Sequence, residues 1–443
     1  MTALGGCVSA PGGDVTARIL FYCQHVLGIG HLVRSTEIVK EVCRDSHVLF
    51  VSGGEKPGGF RFPEHENIEV LQLPPLKTGA DFSNLHVCGP VRSIEETKTL
   101  RRTMLLQAFA RFQPDVLVTE LFPFGRKKFR FELLPLLEQS RQQRLRPLVV
   151  SSVRDILVTR KDQEAFEQRV CDLVNGFYDL ILVHGDQNFQ MLDQTFSRVG
   201  DLRCPVAYTG YVVRPRRLNP ADEDRRPLLE HRQPAIVVSN GSGQYLTGQT
   251  LLESVLHAAR LLQSRIPHEF HVFAGPLMPE DAYGRLQALA SASSNVKLSR
   301  FTPNLGAVLK RAELSVSMAG YNTMMDVLSA GVRALVYPVT SNGDQEQIVR
   351  GESLAKSGVI DVIRSEELAP QELARKLEQA LRKMPASLAL NFDGAANSAH
   401  LLKKYLAAHR ARSFDASATW FWPQEAGTVQ RKASGSGRTG NSG

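Results

Sequence analysis

Short apolar runs recur along the chain, with helix-like spacing between them. In the first half they fall at 18–23, 47–52, 68–73, 115–120, 147–153 and 179–184, with a shorter run at 205–210. Most are continuously apolar rather than alternating, which is the mark of strands covered on both faces. The pattern restarts at 235–240 and continues at 270–275, 296–301, 314–319, 334–339 and 359–363. Helical spacing occupies 248–264, 281–292, 304–311, 321–330, 344–357 and 367–383, and two further helical segments are expected within 394–409. Strands separated by helices imply right-handed βαβ units and parallel sheets.

The expected architecture is therefore α/β: two doubly wound, Rossmann-like parallel-sheet domains facing a cleft. Residues 1–17 form a flexible N-terminus, 18–212 the first domain, 213–234 a linker, 235–390 the second domain and 391–412 C-terminal helices, with a disordered tail over 413–443. The linker is rich in proline and charge and has no periodicity. Its acidic triplet, Asp222-Glu223-Asp224, reads as a solvated charge run. Ligands of open α/β sheets bind at strand C-terminal ends, so the cleft is the expected site.

A chain of 443 residues with 43% hydrophobic and 22% charged positions is long enough for two cores and is neither disordered nor fibrous. No run reaches the ~18 apolar residues that would span a bilayer. The six cysteines, Cys7, Cys23, Cys43, Cys88, Cys171 and Cys204, form no CxxC pair, which fits a reducing cytosol. The net charge of +8 is uneven: residues 92–154 hold 13 Lys/Arg against 6 Asp/Glu. Such a patch suits an anionic partner. Nucleic acid is the weakest choice, because no helix-turn-helix, zinc finger or aromatic-interleaved basic array is present.

Candidate chemistry clusters after three strands. The first strand runs into Gly28-Ile29-Gly30-His31, a tight turn before a helix. It is not the GxGxxG dinucleotide fingerprint, and no P-loop occurs. His31, at the mouth of the cleft, suits proton abstraction from a hydroxyl; a packing histidine is the competing reading. Strand 235–240 leads into Gly241-Ser242-Gly243, a loop able to hold phosphate through its amides. Strand 314–319 leads into Gly320-Tyr321-Asn322-Thr323, with Asp326 a turn later, and after the next strand Asp344, Gln345 and Gln347 open another helix. Helix N-termini favour a diphosphate, while carboxylate and amide groups suit sugar hydroxyls. Phe301, at the end of its strand, completes this donor-side set.

The spacing Gly320, Tyr321, Asn322, Thr323, Asp326, Gly331-Val332, Pro338, Asp344-Gln345 resembles the donor-site signature of two-domain GT-B glycosyltransferases. It is most similar to the family 28-like group related to the N-acetylglucosaminyltransferase that completes lipid II. The turn Gly28, Gly30, His31 resembles the acceptor loop of the same enzymes. The stretch 120–126 and Arg154-Asp155 resemble a narrower bacterial group of predicted glycosyltransferases. There are departures: Met318 stands where several relatives carry histidine, Asp326 where glutamate is commoner, and Arg333 where proline is usual.

The resemblance implies transfer of a sugar from a nucleotide diphosphate, UDP first among the expectations, to an acceptor hydroxyl on a glycolipid or small molecule. The second domain would hold the donor and the first the acceptor, with His31 as general base and Glu120 or Asp155 as its carboxylate partner. No cofactor or metal is expected, since no acid pair stands beside the phosphate loops. A nucleotide-sugar hydrolase or epimerase of the same fold, or a non-catalytic binder, are the alternatives. The expected location is cytoplasmic. Segment 126–137, with a basic head and a leucine-rich body, has two readings: a helix packed on the sheet, or a peripheral contact with anionic headgroups on the cytoplasmic face. The need of a βαβ crossover for an apolar inner face favours the first.

Overall fold

The computed structural model describes residues 16–26, 29–57, 60–78, 84–88, 93–214, 234–241, 246–302, 304–340, 345–384 and 388–414. The first half runs β1 (Ala17–Cys23), α1 (Gly30–Val42), β2 (Ser46–Ser52), β3 (Ile68–Gln72), β4 (Leu76–Thr78), β5 (Leu85–Val87), α2 (Ile94–Phe112), β6 (Val116–Glu120), α3 (Arg130–Gln142), β7 (Leu148–Arg154), α4 (Gln163–Phe177), β8 (Leu180–His184) and β9 (Val206–Tyr208). Seven of these strands form one parallel sheet in the order β3-β2-β1-β6-β7-β8-β9, and β4 and β5 pair separately as a small antiparallel ribbon. That ribbon was not expected, because three-residue strands leave no periodicity to read.

The second half runs β10 (Ala235–Ser239), α5 (Leu246–Leu262), β11 (Glu269–Phe273), α6 (Glu280–Ala290), β12 (Val296–Ser299), α7 (Leu305–Leu309), β13 (Leu314–Met318), α8 (Tyr321–Ala330), β14 (Arg333–Tyr337), α9 (Glu346–Lys356), β15 (Asp361–Val362) and α10 (Pro370–Arg382). Its parallel sheet has the order β12-β11-β10-β13-β14-β15. The central strands of both sheets are fully buried: Leu20, Leu49, Leu117 and Val149 in one, Ile236, Val238, Val316 and Leu335 in the other, all at 0% exposure. Cover on both faces is what made these runs continuously apolar.

Each sheet reverses its winding once, between β1 and β6 in the first and between β10 and β13 in the second. The loops after those strands diverge there, and a crevice opens at their C-terminal ends.

Two adjacent crossings tie the halves together. The chain leaves the first half through Tyr211-Val212 and returns through Asn391–Gly394, where Tyr211 N–H donates to Asn391 O (2.7 Å) and Gly394 N–H to Tyr211 O (3.1 Å). After the return a single helix, α11 (Gly394–Phe414), replaces the two segments expected from the pattern. It packs Leu402 and Leu406 against Val39 and Val42 of the first half, and Arg410 donates to Asp115 (2.7 Å). The N-terminus up to 15, most of the linker and the tail from 415 lie outside the described residues.

The segment 126–137 takes the packed reading. Arg130–Gln142 forms a helix through Pro135, with Leu133, Leu136 and Leu137 buried in the core. That inner face is therefore not free to meet a bilayer. Among the described residues, no helix is long and apolar enough to cross a membrane.

Candidate active site

A cleft of about 660 Å³ lies between the C-terminal ends of the two sheets. From the first half it is lined by His31, Arg34 and Arg126, and from the second by Gly241, Asn322 and Asp326. His31 is the second residue of α1, directly after β1, and Glu120 is the last residue of β6, the strand beside β1. The winding reversal thus brings them together. His31 Nδ1 lies 2.5 Å from Glu120 Oε1. Arg34, one helical turn after His31, donates to the same oxygen at 2.6 Å, and Arg126 Nη2 stands 3.8 Å from Oε2.

Burial alone would raise the Glu120 carboxyl. The His31 contact and the two guanidiniums outweigh it and hold the group at about 2. Burial pushes the His31 imidazole down to about 3; Glu120 opposes this, while Arg126 and Arg34 add to it. At neutral pH the pair is therefore a carboxylate and a neutral ring. The Nδ1–H donates to Glu120, which leaves Nε2 as the basic nitrogen. His31 keeps 14% of its side chain exposed and Glu120 none. Only the imidazole can meet a substrate.

Asp155 does not share this role. It follows β7, one strand farther from β1 than Glu120, about 4.8 Å along the sheet. Its carboxylate receives Arg350 of the second half at 2.8 Å and is 1% exposed. Arg350 also pairs with Glu346 (2.9 Å), and Glu346 pairs with Arg154. The four side chains form a buried ionic bridge across the domain boundary. Tyr321 sits between two cations, 5.3 Å from Arg34 and 5.4 Å from Arg350, and its hydroxyl donates to His184 O at 3.0 Å.

The donor-side set converges on the second winding reversal. Gly241 holds φ +60, which disfavours a side chain, and a Cβ built there would stand 3.7 Å from Thr323 Oγ1. Gly320 is the N-cap of α8 in extended conformation, so the first N–H groups of that helix lack intrahelical acceptors. Asn322 Nδ2 donates to Gly30 O (3.2 Å), which joins the donor-side helix to the loop before His31. Asp326 lines the cleft, and burial pushes its carboxyl up to about 6, with Arg214 opposing. Phe301 lines the cleft half-exposed; Gln347 lines it too and accepts from Ala319 N–H at 3.1 Å. Gln345 is an exposed residue at the start of α9 and is not part of the cleft wall. Gly28, Ser242, Gly243 and Asp344 lie outside the described residues.

Arg34, Arg126, Glu346 and Arg350 were not singled out for site roles from sequence. Arg34 had a readable signal, since three residues after His31 on a helix is the same face. Arg350 had none, because its partner Asp155 is 195 residues away.

The buried imidazoles make the fold sensitive to acid. His31 and His184 are both held down to about 3, mainly by burial, against 6.5 when unfolded. Below 6.5 the unfolded chain binds protons that the folded one refuses, so stability falls as pH drops from 6.5 toward 3. Glu120, held below its usual 4.5, adds to the loss at the lower end. The urea midpoint should fall steadily between pH 7 and 5; a midpoint constant over that range would mean these imidazoles are not buried neutral.

Comparison with known proteins agrees with this fold. Residues 235–406 match the glycosyltransferase family 28 C-terminal domain. The chain is 23% identical over 370 residues to the UDP-N-acetylglucosamine–N-acetylmuramyl-(pentapeptide) pyrophosphoryl-undecaprenol N-acetylglucosamine transferase of Oenococcus oeni, covering 80% of this chain and 86% of that enzyme. Among solved structures it resembles the calicheamicin glycosyltransferase CalG4, with a TM-score of 0.53 and 16% identity over 90% of this chain and 97% of that one. It also resembles MurG of Acinetobacter baumannii, with a TM-score of 0.50 and 15% identity over 89% and 99%. The fold is GT-B. Its second half carries a domain similar to the family 28 C-terminal domain, and the chain is a glycosyltransferase.

Proposed function

We propose that this enzyme transfers a glycosyl group from a nucleoside diphosphate sugar, UDP-linked by first expectation, to an acceptor hydroxyl, with His31 as general base. The observation that carries this is the His31–Glu120 pair facing the N-terminus of α8 across one cleft. Residues 18–212 hold the acceptor and residues 235–390 the donor. The acceptor hydroxyl gives its proton to His31 Nε2 as its oxygen attacks the anomeric carbon. Glu120 fixes the ring and stabilises the imidazolium that forms. Charge growing on the departing diphosphate is met by the N–H groups of α8 and the turn at Gly241, without a metal. Arg126, Lys127 and Lys128 line the cleft, so the basic patch of the sequence serves the substrate here rather than a membrane surface.

Asp326 accepts hydrogen bonds from the ribose diol. Asp326→Ala should weaken nucleotide binding by about 1–3 kcal/mol, because the diol loses a charged acceptor. Wild-type affinity should also decline below pH ~6, where this carboxyl gains its proton. Calorimetry with UDP tests both, and unchanged affinity in the variant sinks the ribose role. The reaction itself is tested by incubating the protein with a panel of nucleotide sugars, with and without cell extract, and weighing the products. Rapid donor hydrolysis independent of extract would make the chain a hydrolase instead.

A further inference from the structure

A second cavity, of about 150 Å³, opens off the acceptor side of the cleft and shares Gly125, Lys127 and Arg160 with it. Its floor is apolar, formed by Phe122, Phe166, Val170 and Leu173. Its rim is cationic: Lys127, Arg130, Arg160 and Arg169 stand against a single acid, Asp162, which Arg169 already pairs at 3.1 Å. Arg160 lies over the Phe166 ring at 5.4 Å, so one edge of the floor carries a positive charge.

Arg126 lines the cleft and lies in sequence between Gly125 and Lys127, which line both cavities. Its side chain is only 10% exposed, and its Nε and Nη2 have no hydrogen-bond partner. Its countercharge, Glu120 Oε2, stands at 3.8 Å, beyond hydrogen-bonding range. The loop holds Arg126 at φ 58 and Leu121 at φ 63, left-handed values that disfavour a non-glycine residue. A buried guanidinium with unused donors, kept in a left-handed backbone beside a cationic pocket, is arranged for an anion.

We propose that this side pocket anchors the acceptor, and that it takes a compact apolar group of about one ring bearing a carboxylate or phosphate. The inference rests on the glycosyltransferase reading above and specifies its acceptor class. A cavity of this size holds a single ring. A long acyl or prenyl chain would find no continuation along the neighbouring helix α3, because its Leu133, Leu136 and Leu137 are in the core. The ring occupies the floor, the anion meets Arg126, Lys127 and Arg160, and the acceptor hydroxyl extends toward His31.

The test uses the full chain saturated with UDP, so that the donor site cannot take the anion. Benzoate and phenyl phosphate are titrated beside their neutral counterparts, benzamide and phenol. Vesicles containing phosphatidic acid form a separate arm. The anionic rings should bind at least about tenfold more tightly than the neutral ones, and more weakly as salt rises. Arg126→Gln should remove most of that preference. Because Arg126 is buried, the double variant Lys127→Gln, Arg160→Gln, at exposed rim positions, provides a second reading. It should lower affinity for the anionic rings about tenfold and change that for their neutral counterparts little. Equal binding of charged and neutral rings, or no binding of either, overturns the proposal while leaving the donor reading intact. Binding to phosphatidic acid vesicles alone overturns the compact anchor and assigns the cations to a lipid headgroup. Loss of UDP binding by the wild-type protein would instead overturn the underlying glycosyltransferase reading.

Discussion

His31→Ala should lower turnover by roughly 10²–10⁴-fold, the usual contribution of a positioned general base, with little change in UDP affinity. The substitution removes the only member of the His31–Glu120 pair that reaches the cleft, and His31 belongs to the half proposed to hold the acceptor. The pH profile supplies an independent check. A free imidazole would give an acid limb near 6.5, whereas burial holds this one at about 3. Turnover per unit of substrate should therefore stay flat from pH 8 down to about 6 and fall only at lower pH. Glu120→Gln should release the ring from its fixed tautomer and lower turnover as well. A limb at 6.5 that disappears in His31→Ala would show the ring titrating freely. Wild-type turnover in His31→Ala would remove the base assignment altogether.

The parts of this architecture that sequence reveals are those with a local cause. A strand covered on both faces must be apolar along its whole length, so thirteen runs could be read as strands and are strands. The donor signature is legible for the same reason: Gly320, Asn322, Thr323 and Asp326 lie on one strand-to-helix turn, where spacing fixes geometry. Choosing between Glu120 and Asp155 was not possible locally. Both follow strand C-termini, and only the order β1-β6-β7 sets one beside His31 and the other a strand away. The segment 126–137 packs as the need for an apolar inner face suggested, but its basic head differs: Arg126 sits in a left-handed backbone that no residue pattern announces. The two expected C-terminal segments are one helix because no proline or glycine interrupts 395–414.

Arg350→Met should destabilise the fold by about 3–5 kcal/mol, among the largest losses of any single substitution outside the hydrophobic cores. Arg350 is 1% exposed and serves Asp155, Glu346 and Ala319 O together. Glu346 would keep Arg154, but Asp155 would be left as a buried carboxylate with no cation. The penalty arises from that stranded charge more than from the lost attraction. Arg350→Met combined with Asp155→Leu should therefore regain a large part of the stability, because replacing both partners of a buried pair by apolar groups is often close to neutral. The urea midpoint measures both variants. If the single substitution is mild, or the second gives no recovery, the bridge is not what holds this boundary. Activity separates stability from register. Arg350 and Arg34 both lie against the Tyr321 ring, and Arg34 touches Glu120, so the bridge would align the proposed donor helix with the proposed base. The double variant should fold well and still turn over slowly, since the stranded charge is gone but the cation against the Tyr321 ring has not been replaced.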